Sequence, residues 1–378
     1  MTKRWIWLAV AVSLAAGCKK DKTDATPDKG KTAEAGGGGG GTTATGSGTA
    51  QDTTSKTPMP AVNLPAGVDR LLAAIPTDAE IVVGVDLGKL VHNPLLGPLF
   101  DEAMKQNTGQ MGFDPKAECG IDPMASLGEM VLGVKMESSD SGTVSVALGG
   151  IDKAKMLPCL EKARPKIEAK GAKLEIDGDY VHITSMQDGK EAHFGMAFGS
   201  DNVAAVRISK TAPDKAAVMQ MAAAKAGDGL TASSEFMTMV GQTNTSATIW
   251  GLANGGSPMM SRGPVKFQSA FGSIEIGDGV TAEGRIKFKS PDDAQKVAKT
   301  FGGQLASVKQ MGFADVAELT PDGSDVKFTF AMKKQQVENL KTMMMSVMKR
   351  GGGAGGPNMG GPGGAQINPP PPPPKSGP

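Results

Sequence analysis

Aromatic residues are scarce in this chain, in which Phe, Trp and Tyr together make up 4%. A low aromatic content disfavours surfaces that bind nucleic-acid bases or sugar rings by stacking. The charge is also balanced, because 40 Lys and Arg residues stand against 39 Asp and Glu residues. No overall positive field draws the chain to nucleic acid, and we expect no nucleic-acid partner.

The common catalytic motifs are also missing. The sequence contains no G-x-S-x-G nucleophile elbow, no H-E-x-x-H zinc motif and no G-x-x-x-x-G-K-[ST] phosphate loop. Carboxylate pairs cannot be recognised in a sequence, so a hydrolase without a recognisable motif stays open as an alternative. We predict that the protein is not an enzyme, and we assign no catalytic residues.

Histidine occurs only at His92, His182 and His193. If residues 187–190 form a two-residue hairpin turn, His182 lies diagonally opposite His193 on one face of a sheet. The carboxylate of Glu191 or Asp179 then lies close to the two histidines. Two histidines without a clear third ligand are usually ordinary strand residues, so we predict no metal site and no cofactor.

Methionine, in contrast, is abundant, with 23 residues. Clusters occur at Met219 and Met221, Met237 and Met239, Met259 and Met260, and Met343 to Met345 with Met348. Thioether clusters in exported proteins can bind Cu(I), a soft metal. However, Val337, Leu340 and Met344 recur at the spacing of one helix face, which is typical of core packing. We interpret the methionines as adaptable core residues, with soft-metal binding as the alternative.

The N-terminus has the anatomy of an export signal. Lys3 and Arg4 precede an apolar run from Trp5 to Ala16, which only Ser13 interrupts. This run is too short to span a bilayer comfortably as a helix, which favours a signal that is cleaved.

The signal ends in Leu14-Ala15-Ala16-Gly17-Cys18, after which the sequence turns to Lys and Asp. This segment resembles the lipobox of bacterial prolipoproteins, in which small residues precede an invariant cysteine. Ala16, Gly17 and Cys18 match the pattern, whereas Leu14 lies one position earlier than the usual leucine. The resemblance covers the first eighteen residues and implies cleavage before Cys18. It also implies a diacylglycerol thioether on that cysteine and an acyl group, such as palmitate, on its amino terminus.

Several acyl chains on one residue give durable membrane anchoring, so the resemblance implies a membrane partner through Cys18. The next residue is Lys19. In the enteric sorting rule, a residue other than Asp there favours the outer membrane. We therefore expect a lipid-anchored protein of the cell envelope. The outer membrane is favoured over the inner membrane, and the protein faces the periplasm or the surface.

Both flanks of the body are low in complexity. Residues 18–62 are rich in Lys, Asp, Thr, Gly and Ser, and cannot bury enough apolar surface to offset the entropy of ordering. Gly36–Gly41 formally satisfies G-x-G-x-x-G, but no strand precedes it and no helical pattern follows. We predict a disordered tether at 18–62 and a disordered Gly/Pro-rich tail at 351–378.

Asp-Gly pairs divide the central part of the chain into short apolar or alternating runs. The pairs are Asp177-Gly178, Asp188-Gly189, Asp278-Gly279 and Asp322-Gly323. Each pair supplies residues that adopt the positive φ of tight hairpins. Helical patterns alternate with these runs, such as the one that begins at Ser290-Pro291. We predict an α+β fold with antiparallel sheets and packed helices.

The two halves of this body repeat the same order of elements. A strand, strand, helix and hairpin series begins near Met130 and appears again near Ser273. The strand Ala247–Leu252 then corresponds to Glu80–Val85. We predict a diverged duplication of one α+β unit, with subdomains at 63–242 and 243–350.

Two cysteines remain, Cys119 and Cys159. An even pair in an exported protein predicts a disulfide, with free buried thiols or a redox pair as alternatives. With no catalytic motif found, we expect a non-enzymatic binding or scaffold module of the cell envelope. A protein of the envelope is the expected partner, and a periplasmic small-ligand or soft-metal binder is the alternative.

Overall fold

The computed structural model describes residues 64–98, 100, 115–122, 126, 128–137, 141–187, 189–256 and 266–350. The signal sequence 1–17, Cys18, the tether and the tail lie outside these residues. The fold is a mixed α/β fold with an antiparallel sheet, as the Asp-Gly pattern predicts.

The α-helices in the described part are α1 Val68–Ala73, α2 Leu87–His92, α3 Pro115–Cys119, α4 Lys153–Ala169, α5 Lys215–Ala223, α6 Ser234–Gly241, α7 Pro291–Gln310 and α8 Lys334–Arg350. A 3-10 helix covers Gly229–Ala232. The strands are β1 Ile81–Asp86, β2 Glu129–Met136, β3 Gly142–Gly149, β4 Lys173–Asp177, β5 Tyr180–Gln187, β6 Lys190–Phe198, β7 Val203–Ser209, β8 Ile249–Asn254, β9 Ser269–Ile276, β10 Val280–Lys287, β11 Val316–Asp322 and β12 Asp325–Met332.

These strands form one sheet in the order β11-β12-β10-β9-β8-β1-β2-β3-β7-β6-β5-β4. Every neighbouring pair is antiparallel. At the centre, β1 pairs with β8, so that Val83 lies opposite Gly251. The two predicted subdomains therefore contribute to one continuous sheet.

The glycines of three Asp-Gly pairs have the expected positive φ, at 62° for Gly178, 75° for Gly189 and 61° for Gly323. In the first and third, the Asp ends the strand and the Gly opens the two-residue turn. The pair Asp278-Gly279 also lies between two paired strands, as predicted, but the expected positive φ was wrong for Gly279. There three residues join β9 to β10, and a Cβ on Gly279 would lie 2.3 Å from the Met332 carbonyl oxygen.

Side chains on the two faces of the sheet are buried by different helices. Val82 of β1, Val131 of β2 and Trp250 of β8 pack with α1 and α6 on one face, called the first face. Farther along the same face, α5 packs on Tyr180, Ala197 and Ala205.

The opposite, second face is covered at both ends. Ala147 of β3 packs in the first-face core, so strand alternation places its neighbour Val146 on the second face, where α4 packs. In β10, Ile286 lies opposite Ala270 of β9, and Ala270 lies opposite Ala253 of β8. Ala253 in turn lies opposite Ile81 of β1, so all four residues are on the second face. Helix α7 packs beside Ile286. Helices α4 and α7 thus lie on the second face, one in each half of the sheet.

Candidate functional site

Cys119 and Cys159 form a disulfide with an S–S distance of 2.04 Å. The bond joins α3 to α4 and is packed among Ile121, Ala163 and Met156. Cys159 is buried, and the pair therefore belongs to the packed core rather than to an exposed redox site.

His182 and His193 come together as their strand positions predict. Gln187 pairs with Lys190, which closes the two-residue turn, and Thr184 then lies opposite His193. The Nε2 atom of His182 is 3.3 Å from the Nδ1 atom of His193. Their ring centroids are 5.5 Å apart and their planes differ by 14°. Both side chains are mostly buried, with 16% and 11% of their surface exposed.

Each outward ring nitrogen of the histidine pair faces a carboxylate. The Nδ1 atom of His182 is 3.4 Å from Oε2 of Glu175, and the Nε2 atom of His193 is 3.6 Å from Oε2 of Glu191. Sequence reasoning identified Glu191 but missed Glu175. The register of β4 would have indicated it, because Glu175 lies directly opposite His182.

Asp179 does not join this cluster. Its Oδ1 atom is 2.6 Å from Nζ of Lys153 at the start of α4. The third histidine lies on α2, where Nδ1 of His92 is 2.8 Å from the Gly88 carbonyl oxygen. The candidate cluster therefore consists of two imidazoles and the carboxylates of Glu175 and Glu191.

Charges around the histidine pair lower the pKa of the Glu175 carboxyl. The largest cause is a hydrogen bond from Lys173, and a hydrogen bond from His182 adds to it. Tyr180, whose ring centroid is 6.3 Å from that of His182, has its pKa raised by burial and by the negative charges of Asp214 and Glu175. The lowered pKa favours the ionised, hydrogen-bond-accepting form of Glu175, and the raised pKa favours the protonated form of Tyr180.

Within the described ranges, no group of three or more His, Cys, Asp and Glu side chains is arranged to hold a metal ion. An ion at the histidine pair would therefore take only two nitrogens from this set of residue types. Its other ligands would be hydroxyl groups or water.

A second pair of acidic groups lies at the end of β1. Asp86 is directly opposite Glu129 of β2. Burial raises the pKa of Glu129, and the negative charge of Asp86 raises it further, while Lys89 lowers it. The adjoining cavity has a volume of about 10 Å³ and is lined in part by Val68, Thr245 and Trp250. It is about the size of one water molecule, which is too small for an organic substrate.

A larger cavity lies at the start of α4. Its volume is about 260 Å³, and its lining residues are Ile121, Ser126, Gly150, Ile151, Asp152, Lys155, Met156 and Asn202. This volume is below the range of typical small-molecule sites, about 300–1,000 Å³. Asp152 is occupied as the N-cap of α4, where its Oδ1 accepts a hydrogen bond from the Ala154 amide.

The methionine pairs of α5 and α6 pack in the core. Met221 is 7% exposed, and Met237 and Met239 are also buried among aliphatic side chains. Thioethers in these positions fill space rather than face a shared ion. Met259 and Met260 lie outside the described residues, as do the side chains of 343–350.

The middle of the second face carries a set of apolar side chains that the described residues leave partly exposed. We call this set the central strip: Ile81, Val83 and Val85 of β1, Ile249 of β8 and Ile274 of β9. Ile249 lies opposite Val85 on one side and Ile274 on the other, so these residues are contiguous.

Glycines continue the central strip across the second half of the sheet. Gly251, Gly272 and Gly284 lie directly opposite one another on β8, β9 and β10. Ala253, Ala270 and Ala282 flank them on the same face by strand alternation. Because these side chains are small or missing, the backbone of another segment can approach the sheet closely at this point.

No protein-family model and no curated protein matches this chain. Among the helices of the described residues, none is both long enough and apolar enough to cross a bilayer. The geometry of the chain itself is thus the basis for assigning a function.

Proposed function

We propose that this protein is a lipid-anchored module of the cell envelope that binds a protein partner through the central strip and does no chemistry on it. The observation that carries the proposal is the contiguous apolar surface of Ile81, Val83, Val85, Ile249 and Ile274, which lies between α4 and α7. Exposed apolar patches on soluble domains typically mark protein or membrane contacts.

The two faces of the central strands differ in a way that supports this proposal. On the first face, Val82 and Leu252 are 0% and 2% exposed beneath α1 and α6. On the second face, Val83 and Ile249 of the same strands are only partly buried. A partner that covers the strip would bury apolar surface at about 25 cal/mol per Å², which favours association.

The anchoring part of the proposal rests on the first eighteen residues. The apolar run and the Ala16-Gly17-Cys18 sequence resemble a lipobox, and Lys19 follows the cysteine. Residues 19–63 separate Cys18 from the first described residues of the body. A segment of about 45 residues rich in Gly and Thr would behave as a flexible chain and allow the body to reach a partner away from the membrane surface.

We further propose that the body is a duplicated unit divided near residue 243. In this alignment β1-β2-β3-α4-β4-β5 corresponds to β8-β9-β10-α7-β11-β12. The first residue of β1 pairs with Val134, the sixth of β2, and the first residue of β8 pairs with Ile274, the sixth of β9. The registers of the two strand pairs are therefore the same.

The remaining elements support the same alignment. Met136 pairs with Gly142 and Ile276 with Val280, so in both pairs the last residue of one strand faces the first of the next. Each following helix has its N-cap three residues after the strand, at Asp152 and at Ser290. One difference is the hairpin β6–β7, which lies between β3 and β5, whereas β12 pairs directly with β10.

Site-specific photo-crosslinking in intact cells tests the partner. A photoreactive amino acid replaces Val83 or Ile249 in the central strip, and matched controls carry it at Thr281 or Glu283, which are exposed on the first face. We expect one abundant envelope protein to be captured from the strip positions and not from the controls. Equal capture from both faces, or none from the strip, would show that the strip is not the binding surface.

The anchor is tested in the same cells with Cys18→Ser. We expect the wild-type protein in the membrane fraction and the variant in the soluble or unprocessed fraction. Mass spectrometry of the wild-type amino-terminal peptide should show an acylated Cys18. If the variant stays in the mature, membrane-bound form, the lipid anchor is excluded.

A further inference from the structure

We propose that His182 and His193 bind one divalent transition-metal ion of the Zn²⁺ class between their facing nitrogens. This site is separate from the central strip. The histidine pair lies on the first face, because Tyr180 on the same strand packs under α5 there and His182 follows two residues later.

The separation of the two nitrogens is the first argument for the metal. Nε2 of His182 and Nδ1 of His193 are 3.3 Å apart. Two nitrogens that bind one tetrahedral zinc ion at about 2.0–2.1 Å each lie about 3.3–3.4 Å from each other. The ring centroids are 5.5 Å apart whereas the two nitrogens are 3.3 Å apart, so the nitrogens lie on the facing sides of the two rings.

The protonation pattern that the carboxylates impose is the second argument. Glu175 faces Nδ1 of His182, and Glu191 faces Nε2 of His193. A carboxylate next to a ring nitrogen favours the proton on that nitrogen. Both inner nitrogens then carry lone pairs that face each other. Two facing lone pairs repel unless a metal ion or a proton lies between them, and carboxylate–histidine–metal arrangements of this kind are typical of zinc sites.

The third argument is the oxygen donor beside the pair. Oγ1 of Thr184 is 3.4 Å from Nδ1 of His193, so the hydroxyl can hold a water ligand or reach the ion itself. With imidazole ligands and water, the preferred ions are Zn²⁺, Ni²⁺, Cu²⁺ and Co²⁺ rather than Mg²⁺ or Ca²⁺. The carboxylates of Glu175 and Glu191 provide negative charge that compensates the ion, although Lys173 also binds Glu175.

Two basic residues also lie near the pair on this face. Lys215 at the start of α5 contacts Asp177, and its Nζ atom lies 6.0 Å from the Tyr180 ring centroid. Arg207 of β7 lies on the same face, opposite Gly195, and Gly195 lies opposite His182. The acidic groups that face the imidazoles directly are thus Glu175 and Glu191.

The test is a titration of the full chain with ZnCl₂ and, for its visible absorption, with CoCl₂. The protein carries Cys18→Ser, so that both remaining cysteines are in the disulfide and no thiol competes for the metal. We expect one ion per chain with a tetrahedral cobalt spectrum. His182→Gln or His193→Gln should weaken binding at least 100-fold, and Glu175→Gln about 10-fold. His92→Gln is the matched control and should bind as the parent does.

Metal binding should also depend on pH, because protons compete for the same nitrogens. Affinity is expected to fall as the pH is lowered. NMR of the parent protein provides a readout that needs no variant. The chain has three histidines, so Co²⁺ should shift or broaden the imidazole signals of two and leave the third unchanged.

Two results would overturn the proposal. One is the absence of saturable metal binding by the parent protein. An NMR signal for a proton shared between the two imidazoles would then identify the pair as an ordinary hydrogen bond. The other is binding that survives both histidine substitutions, or a cobalt effect on all three histidines alike. If the histidine variants do not fold, the NMR titration of the parent decides.

Discussion

At the scale of single residues, Gly84 determines how the centre of the sheet packs. The indole of Trp250 lies where a side chain at position 84 would be, and a Cβ there would be 1.9 Å from Cε2 of the ring. Trp250 is 3% exposed and belongs to the largest cluster on the first face. The glycine is therefore required by close approach and not by turn geometry.

We expect Gly84→Ala to lower the free energy of unfolding by about 1–3 kcal/mol, because the indole has to move out of a packed core. Chemical denaturation of the variant and the parent measures the change. Gly251→Ala is the matched control on the second face, where the nearest atom to a Cβ is 3.6 Å away. If both substitutions cost the same, crowding by Trp250 is not the reason for the glycine.

Glu129 is the residue at which pH should affect stability. Burial, and then the charge of Asp86, raise its pKa above the ordinary value of 4.5. The folded state therefore holds this proton more tightly than the unfolded state does. Its contribution to stability is complete below pH 4.5 and is lost as the pH rises through the raised pKa of the folded protein.

Glu129→Gln should consequently stabilise the protein at pH 7, by about 0.5 kcal/mol once solvent screening of this partly exposed group is allowed for. The difference from the parent should disappear below pH 4.5, where Glu129 is protonated in both states. Unfolding curves recorded from pH 3 to pH 8 give the comparison. Glu283→Gln is the matched control, because it removes the same charge from an exposed position on β10. An equal gain from both variants would mean that net charge, rather than the Asp86–Glu129 pair, is responsible.

At the scale of elements, local sequence predicts hairpins well where a glycine opens the turn. The pairs at 177–178, 188–189 and 322–323 were predicted correctly, and with them the contact between His182 and His193. The hairpin β6–β7 was missed. Its turn uses Asp201 and Asn202, both with positive φ, at 61° and 57°. Asn and Asp tolerate this conformation, but the pair lacks the glycine that marks such turns most clearly.

The disulfide is an element-scale feature too, because it fixes the short helix α3 against α4. Replacing both cysteines, as Cys119→Ala with Cys159→Ala, should lower the free energy of unfolding by about 4 kcal/mol on the loop-entropy estimate. The parent should lose a similar amount when a reductant is present, and the double variant should not respond to it. A parent protein that is indifferent to reductant would show that the bond contributes little.

At the scale of the whole molecule, the sequence does not predict which distant strands pair with each other. The order of elements in each half is visible in the local patterns of apolar residues and turns. Nothing in those patterns indicates that β1 and β8 meet, because strand partners so far apart in sequence leave no local signal. Glu175 is a different case, because it lies opposite His182 across the predicted hairpin at Asp177-Gly178, and the local register of that hairpin was sufficient to identify it.

A fragment that ends at residue 242 tests how far the first half is independent. It retains β1 to β7 but lacks Trp250 and Leu252, which complete the core of the first face. We expect strand content in its far-UV circular dichroism, together with self-association in sedimentation, because the edge of β1 is left unpaired. A monomeric fragment as stable as the full chain would show that β8 adds nothing to the first half.

The place of β1 in the sheet also governs when the protein can finish folding. Residue 81 begins β1, but its partner β8 begins only at residue 249. A chain made or exported from its amino terminus must hold β1 with an open edge until the second half arrives. Closing so long a loop slows folding, and the open edge invites pairing with other chains meanwhile. We therefore expect chaperones to bind the first half of the chain during that interval.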